Sequence, residues 1–281
     1  MAALGPELGD QEFARFRELI YKLAGILIPE SKRVMTSNRI RRRLRATGID
    51  TFSAYYLWIT SPQGAAEVPR FLDAITTNET YFFRDTYQYD WFGTTFLDEI
   101  ASSVRAHTHP RRLRIWSAAC STGEELYSIA MKIHSRRNLF TGWNINLVGS
   151  DLSHDALAAA KAGSYDARSL RLVSTELRSK YFTPDSSATR WTIAPEIQAM
   201  TSWKRHNLLQ PFQEPPFDCI FLKNVMIYFD AASRQTVVRH LIRSLAPGGY
   251  LILGPTEGVH AMLDQLTRIK PWLFRRAQSD P

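Results

Sequence analysis

Apolar residues recur at helical spacing from Phe13 to Ala24, where Phe16, Leu19, Ile20 and Leu23 form one stripe. The same reading predicts a second helix over about 32–46, closed near Gly48, a third over 52–59 and a fourth over about 65–75. Residues 1–75 therefore read as a small helical domain. From about Leu113 the pattern changes, and short apolar runs alternate with helical stretches. That alternation predicts a mostly parallel sheet covered on both faces, an α/β fold of the nucleotide-binding, Rossmann-like kind.

The stretch RLRIWSAACSTGEELYS, residues 112–128, is the sharpest instance. An apolar run around Ile115 and Trp116 collapses into the small residues Ala118 to Thr122, turns at Gly123 and launches a helix. Strand, tight loop and helix start are what an open parallel sheet uses to hold a nucleotide-like ligand. One glycine in place of GxGxxG leaves a dinucleotide pyrophosphate poorly cradled. The following NINLVGSDLSHDALAAAKAG gives a second strand ending in Asp151 and a helix closed by Gly163. An acid at that strand end is placed to take ribose hydroxyls, although Asp151 or Ser153 could also cap the helix. Glu124 and Glu125 fit capping boxes with Ser121 and Thr122.

Between Tyr165 and Trp203 the alternation lapses. Trp191, Thr192, Ile193, Ile197 and Met200 are compatible with a short hairpin, so a β subdomain is expected as an insertion over about 165–204. FDCIFLKNVMIYFD then gives a buried strand over 218–222 that ends on Lys223 and Asn224, the end of a central strand where such folds place chemistry. A helix over 231–245, a strand in GGYLILGPTEG and a last antiparallel strand in IKPWLFRR complete the domain over 91–281. Residues 76–90 read as a linker. Its TTNETYFFRD sets Arg84 beside three adjacent aromatics, and a guanidinium held near apolar walls calls for an anionic partner.

Charge changes this picture in one place. The chain carries 35 Lys and Arg against 27 Asp and Glu, and seven of the cations (Lys32, Arg33, Arg39, Arg41, Arg42, Arg43 and Arg45) fall in a stretch without one acid. Without them 28 basic residues would face 27 acidic ones, so the second helix holds nearly the whole excess. Lys32, Arg39 and Arg43 share a stripe with Arg42 beside it, a ridge suited to an acidic partner or a phosphate backbone. No apolar run is long enough to cross a membrane, and MAALGPELGDQEF lacks the basic and apolar regions of a secretion signal, so a cytoplasmic protein without direct membrane insertion is expected. Cys120 and Cys219 lie in apolar runs outside any metal-ligand spacing, and buried thiols are expected.

In order, NETYFFRD, WSAACSTGEELYSIAM, SDLSHDALAAAKAG, HNLL, KNVMIYFD and LAPGGYLILGPTE resemble the blocks of the CheR family of chemotaxis receptor methyltransferases, over nearly the whole chain. The resemblance implies an S-adenosylmethionine-dependent methyltransferase fold with an N-terminal all-α domain and a small β insertion. It implies S-adenosyl-L-methionine as cofactor, held by Asn78, Thr80, Arg84, Glu125, Asp151, Asn207, Leu208, Lys223 and Asn224, with Arg84 and Tyr228 lining the methyl-transfer site. No metal is implied. Family members dock the acidic cytoplasmic helical bundle of chemotaxis receptors, and Lys32, Arg39, Arg42, Arg43 and Arg45 match the positions involved. The family usually carries arginine where this chain has Lys223. Two other readings compete: a nucleic-acid methyltransferase and a cofactor-binding docking protein without turnover. The first would need an Asp/Asn-Pro-Pro-Tyr-like loop where Lys-Asn-Val-Met stands, or a nucleophilic cysteine after proline, so nucleic acid is not the expected partner.

Overall fold

The computed structural model describes residues 7–278 of the chain. The first apolar stripe becomes α1 (Asp10–Ala24), which buries Phe13, Phe16 and Ile20 and is closed by Gly25 at φ 69°. α2 (Arg33–Thr47), α3 (Phe52–Ile59) and α4 (Val68–Ile75) follow. The rings of Phe52, Tyr56 and Phe71 lie 6.3, 5.4 and 6.0 Å from that of Phe16, which makes Phe16 the centre of this small core. Only Ile40 and Leu44 tie the apolar side of α2 to it. Arg43 supplies the rest: its Nε and Nη2 donate to Glu67 at 2.7 and 3.0 Å, and the Tyr55 hydroxyl donates to the same carboxylate at 3.0 Å. Arg43 therefore belongs to the domain interior and not to the free ridge expected from sequence, because the compensating acid comes from the segment before α4 and not from α2.

Residues 76–85 cross between the domains without regular structure. The expected linker over 76–90 is shorter than foreseen, since α5 (Thr86–Trp91) begins inside it and continues through a π-helical turn, Phe92–Phe96, into α6 (Leu97–Arg105). The second domain then runs β1 (Arg112–Ala118), α7 (Glu124–Ser135), β2 (Asn144–Asp151), α8 (His154–Ala162), β3 (Ser164–Asp166), α9 (Thr175–Tyr181), β4 (Phe182–Pro184), β5 (Arg190–Ile193), α10 (Pro195–Gln198), β6 (Thr201–Arg205), β7 (Phe217–Leu222), α11 (Ala231–Ser244), β8 (Leu245–Leu253), β9 (Thr267–Lys270) and β10 (Leu273–Arg275).

Its sheet has the order β6-β2-β1-β7-β8-β10-β9, with the first five strands parallel, β10 antiparallel to β8, and β9 antiparallel to β10. Side chains alternate across it. Ile115, Phe221 and Ile252 join the core on one face, and Trp116, Ile220 and Leu251 join the core on the other. The inserted subdomain is the three-stranded antiparallel sheet β3-β5-β4. Its expected end near 204 runs too far: Thr201–Arg205 is β6, paired with β2 from Leu147↔Thr201 to Asp151↔Arg205. Ile197, expected in the hairpin, lies on α10, where Pro195 starts a helical turn. IKPWLFRR likewise supplies two strand segments, the end of β9 and β10, and not one. Among the described residues no helix is long and apolar enough to cross a membrane.

The two domains meet beside the C-terminal ends of the strands. Ile26 forms an antiparallel bridge with Phe229, the Leu27 N–H donates to the Tyr228 carbonyl at 2.8 Å, and the Tyr21 hydroxyl donates to Asp230 at 2.8 Å.

Candidate active site

From β1 the chain passes outward to β2 and β6 on one side, while β7 and β8 lie on the other, so the strand order reverses between β1 and β7. Such a switch point leaves a crevice beyond the strand ends. Here it is a cavity of about 500 Å³, walled by the loops after β1, β2, β6 and β7, by the linker and by the start of α2. That size lies in the range of roughly 300–1,000 Å³ typical of small-molecule sites.

The loop after β1 forms its floor. Ala119, Ser121 and Gly123 take positive φ of 59°, 51° and 94°, which curls the backbone so that the Ser121 N–H points at Asp151. At Gly123 a Cβ would stand 2.8 Å from the Trp203 ring and 2.9 Å from Ala160, so only glycine fits. Asp151, at the end of β2, accepts from the Ser121 and Ser153 N–H groups at 2.8 and 2.9 Å. Burial pushes its carboxyl up from the ordinary aspartate value, and those two donors oppose the rise. The cap of α8 is Ser153, whose hydroxyl accepts from Ala156 N–H, which leaves Asp151 outside that role.

Neither expected capping box forms at α7. Its N-cap is Gly123, which offers no side chain. Glu124 instead accepts from Thr122 and Ser169 hydroxyls at 2.6 and 3.2 Å and locks the floor to the loop after β3. Glu125 lines the cavity, takes the Ser117 hydroxyl at 2.8 Å and lies 3.9 Å from the Lys223 ammonium. Burial raises its carboxyl, with Lys223 and Ser117 pulling the other way.

From the linker, Asn78, Thr80, Tyr81 and Arg84 line the opposite wall. The Ser121 hydroxyl holds the Asn78 carbonyl at 3.0 Å, and Arg84 Nη1 donates to the Glu79 carbonyl at 3.2 Å with its guanidinium 5.6 Å from the Tyr81 ring centre. Arg171, which sequence reasoning missed, stacks on the same ring, its guanidinium carbon 3.3 Å from the Tyr81 ring centre. Asn207 and Leu208 follow β6. The Asn207 amide is spent on the Leu23 carbonyl at 3.0 Å, tying α1 to the site, while Leu208 is buried.

After β7, Asn224 sits at φ 59°, and its Oδ1 is buried without a partner. The loop that carries it hangs on Glu257. This carboxylate is fully buried and accepts from the N–H groups of Asn224, Val225 (3.2 Å) and Met226 (2.8 Å). Glu257 was not singled out from sequence; the available signal was an acid in a Gly/Pro-bracketed loop at a central strand end. The loop delivers Tyr228 to the mouth, beside Lys32 and Arg39 of the helical domain. Arg39 donates to the Ile75 carbonyl and to the Thr77 hydroxyl, so it also anchors the linker. Arg42 and Arg45 are exposed on α2, away from Glu67.

Two stretches of this chain match family models that together cover almost all of it: residues 11–76 match the CheR methyltransferase all-alpha domain and residues 78–272 the CheR methyltransferase SAM binding domain. The chain belongs to the CheR methyltransferase family. It is 32% identical to the chemotaxis protein methyltransferase Cher2 of Pseudomonas putida, over 96% of this chain and 99% of that one. It is 34% identical to chemotaxis protein methyltransferase 1 of Pseudomonas aeruginosa, over 95% and 98% of the two chains. The chemotaxis protein methyltransferase of Salmonella typhimurium is 36% identical, over 89% of this chain and 84% of its own. The chain is thus an S-adenosylmethionine-dependent methyltransferase. Its cavity suits that cofactor on its own terms: Asn224 Oδ1 and His206 Nε2 are buried orphans on its wall, and Asp151 keeps acceptor capacity beyond its two N–H donors.

Proposed function

We propose that the protein transfers the methyl group of S-adenosyl-L-methionine to glutamate side chains in the cytoplasmic helical bundle of chemotaxis receptors, forming methyl esters, in bacterial chemotaxis adaptation or a related signalling array. The observation that carries this reading is the placement of Arg84 and Tyr228 on the wall of one cavity with Asp151 and Glu125, next to the cationic start of α2. In that reading Asp151 takes the ribose hydroxyls, Asn224 and the Asn207–Leu208 loop border the base, and Asn78, Thr80, Glu125 and Lys223 complete the wall.

Bound there, S-adenosylmethionine supplies an electrophilic methyl carbon on a sulfonium. An ordinary glutamate, with a pKa near about 4.3, is already a carboxylate at neutral pH, so no general base is required. The protein's task is alignment and removal of water from the acceptor. Arg84 can hold a carboxylate by charge-assisted hydrogen bonds, and the Tyr228 hydroxyl can fix its second oxygen. Arg84→Ala is expected to lower turnover on a receptor fragment by about 100-fold and Tyr228→Phe by about 10-fold, with binding of S-adenosylhomocysteine kept within about threefold in Tyr228→Phe. Wild-type turnover in both variants would remove these two residues from the mechanism.

Docking falls to Lys32, Arg39, Arg42 and Arg45, with Arg43 occupied by Glu67. Screening shortens the reach of such a surface from about 30 Å at 0.01 M salt to about 8 Å at 0.15 M. KM for the receptor fragment is expected to rise with salt, and Arg42→Glu to raise it further at low salt with kcat unchanged. A KM insensitive to both would count against docking through α2.

A further inference from the structure

The resemblance to the family makes Lys223 a cofactor contact, yet its ammonium is committed elsewhere. The side chain is 3% exposed. Its Nζ donates to the Arg84 carbonyl, lies 3.2 Å from Asp85 Oδ2 and 3.9 Å from Glu125 Oε2, and stands 5.0 Å from the centre of the Tyr89 ring. A cation this deeply buried persists only where it is paired, and every polar partner but Glu125 belongs to the linker.

The segment it holds is one that needs holding. Phe83 and Asp85 occupy left-handed backbone at φ 56° and 62°, a conformation unfavourable for residues with a Cβ, and Arg84 stands between them. One side of this turn is fixed by the Phe83 N–H donating to the Ser128 hydroxyl at 3.0 Å. The other side, the Arg84 carbonyl and the Asp85 carboxylate, is met from the end of β7 by Lys223. One buried positive charge thus meets one carbonyl and two carboxylates arrayed around it.

We propose that Lys223 is a positioning residue that pins the Arg84–Asp85 turn to the end of β7 and so sets where the Arg84 guanidinium stands over the cavity. This rests on the reading that Arg84 acts in methyl transfer. Two arms of one experiment separate the claims. In the full chain without substrate, Lys223→Met is expected to speed amide hydrogen exchange in peptides spanning 80–86 at least about tenfold, with peptides from α11 unchanged. Unchanged exchange at 80–86 overturns the pin. On a receptor fragment, Lys223→Met is expected to lower kcat about tenfold or more in the wild-type background and under about twofold in Arg84→Ala, because a group that acts through Arg84 has nothing left to position. Equal losses in both backgrounds overturn the proposal. Lys223→Arg, which retains the charge, is expected to restore most of the lost kcat and the slow exchange. Should Lys223→Met fail to fold, Asp85→Asn loosens the same turn and is read by the same exchange and the same cycle. If the wild-type chain transfers no methyl group to the fragment, the functional reading fails, while the exchange arm still decides the pin.

Discussion

Asp151→Ala is expected to weaken binding of S-adenosylhomocysteine by at least about 100-fold in calorimetry, with the fold intact by circular dichroism. Two hydrogen bonds from ligand hydroxyls to a buried carboxylate contribute roughly 1.5–3 kcal/mol each, and two of them amount to a factor of 100 or more. The substitution also removes the acceptor for the Ser121 and Ser153 N–H groups, which loosens the curl of the loop after β1 that floors the cavity. Both losses act in the same direction. Affinity should depend on pH as well. Burial raises the Asp151 carboxyl in the free protein, and ribose hydroxyls donate to its ionised form. Binding therefore strengthens as pH rises through that raised pKa and then levels off, with proton release on the acidic side. Stability runs the other way: a carboxyl raised in the folded state contributes most below the ordinary carboxylate range and loses that contribution as pH rises through its folded value. An Asp151→Ala variant that binds as tightly as wild type would detach Asp151 from the ribose.

Arg43→Ala is expected to cost about 3 kcal/mol of stability, because it leaves the Glu67 carboxylate buried and without its cation. The urea midpoint should fall with little change in slope. Arg42→Ala, one position away and exposed, should leave the midpoint in place and change only KM for the receptor fragment. The pair of variants divides the basic helix into a structural and a docking component. A stable Arg43→Ala with a raised KM would return Arg43 to the docking ridge.

That division marks where the sequence was a good guide and where it was not. The helices of the first domain and strands β1, β2 and β7 were legible because each buries a stripe or an uninterrupted run, and such patterns survive any tertiary arrangement. Asp151 was legible because a strand end next to a small-residue loop is a place defined by topology. The Glu67 partner of Arg43 was missed because the count of acids covered only its own helix, while Glu67 lies 24 residues away and reaches it through packing. The capping boxes failed for a related reason: Glu125 finds Ser117 on the adjacent strand and Lys223 at the end of β7, so its partners come from tertiary structure. β6 was absorbed into the insertion since it is a half-exposed edge strand, and its alternation looks like that of the hairpin before it. Glu257 went unnoticed because it is held by backbone N–H groups 31 to 33 residues away, which carry no side-chain signature.

The most direct test of the account is the chemistry of the product. The purified chain would be incubated with S-adenosylmethionine labelled in the methyl group and a receptor cytoplasmic fragment, and the label followed through mild alkali. The account predicts label on the fragment, released by alkali as methanol and lost when the labelled glutamates are replaced by alanine. Label that survives alkali, or a folded, cofactor-binding protein that leaves the fragment unlabelled, would contradict it.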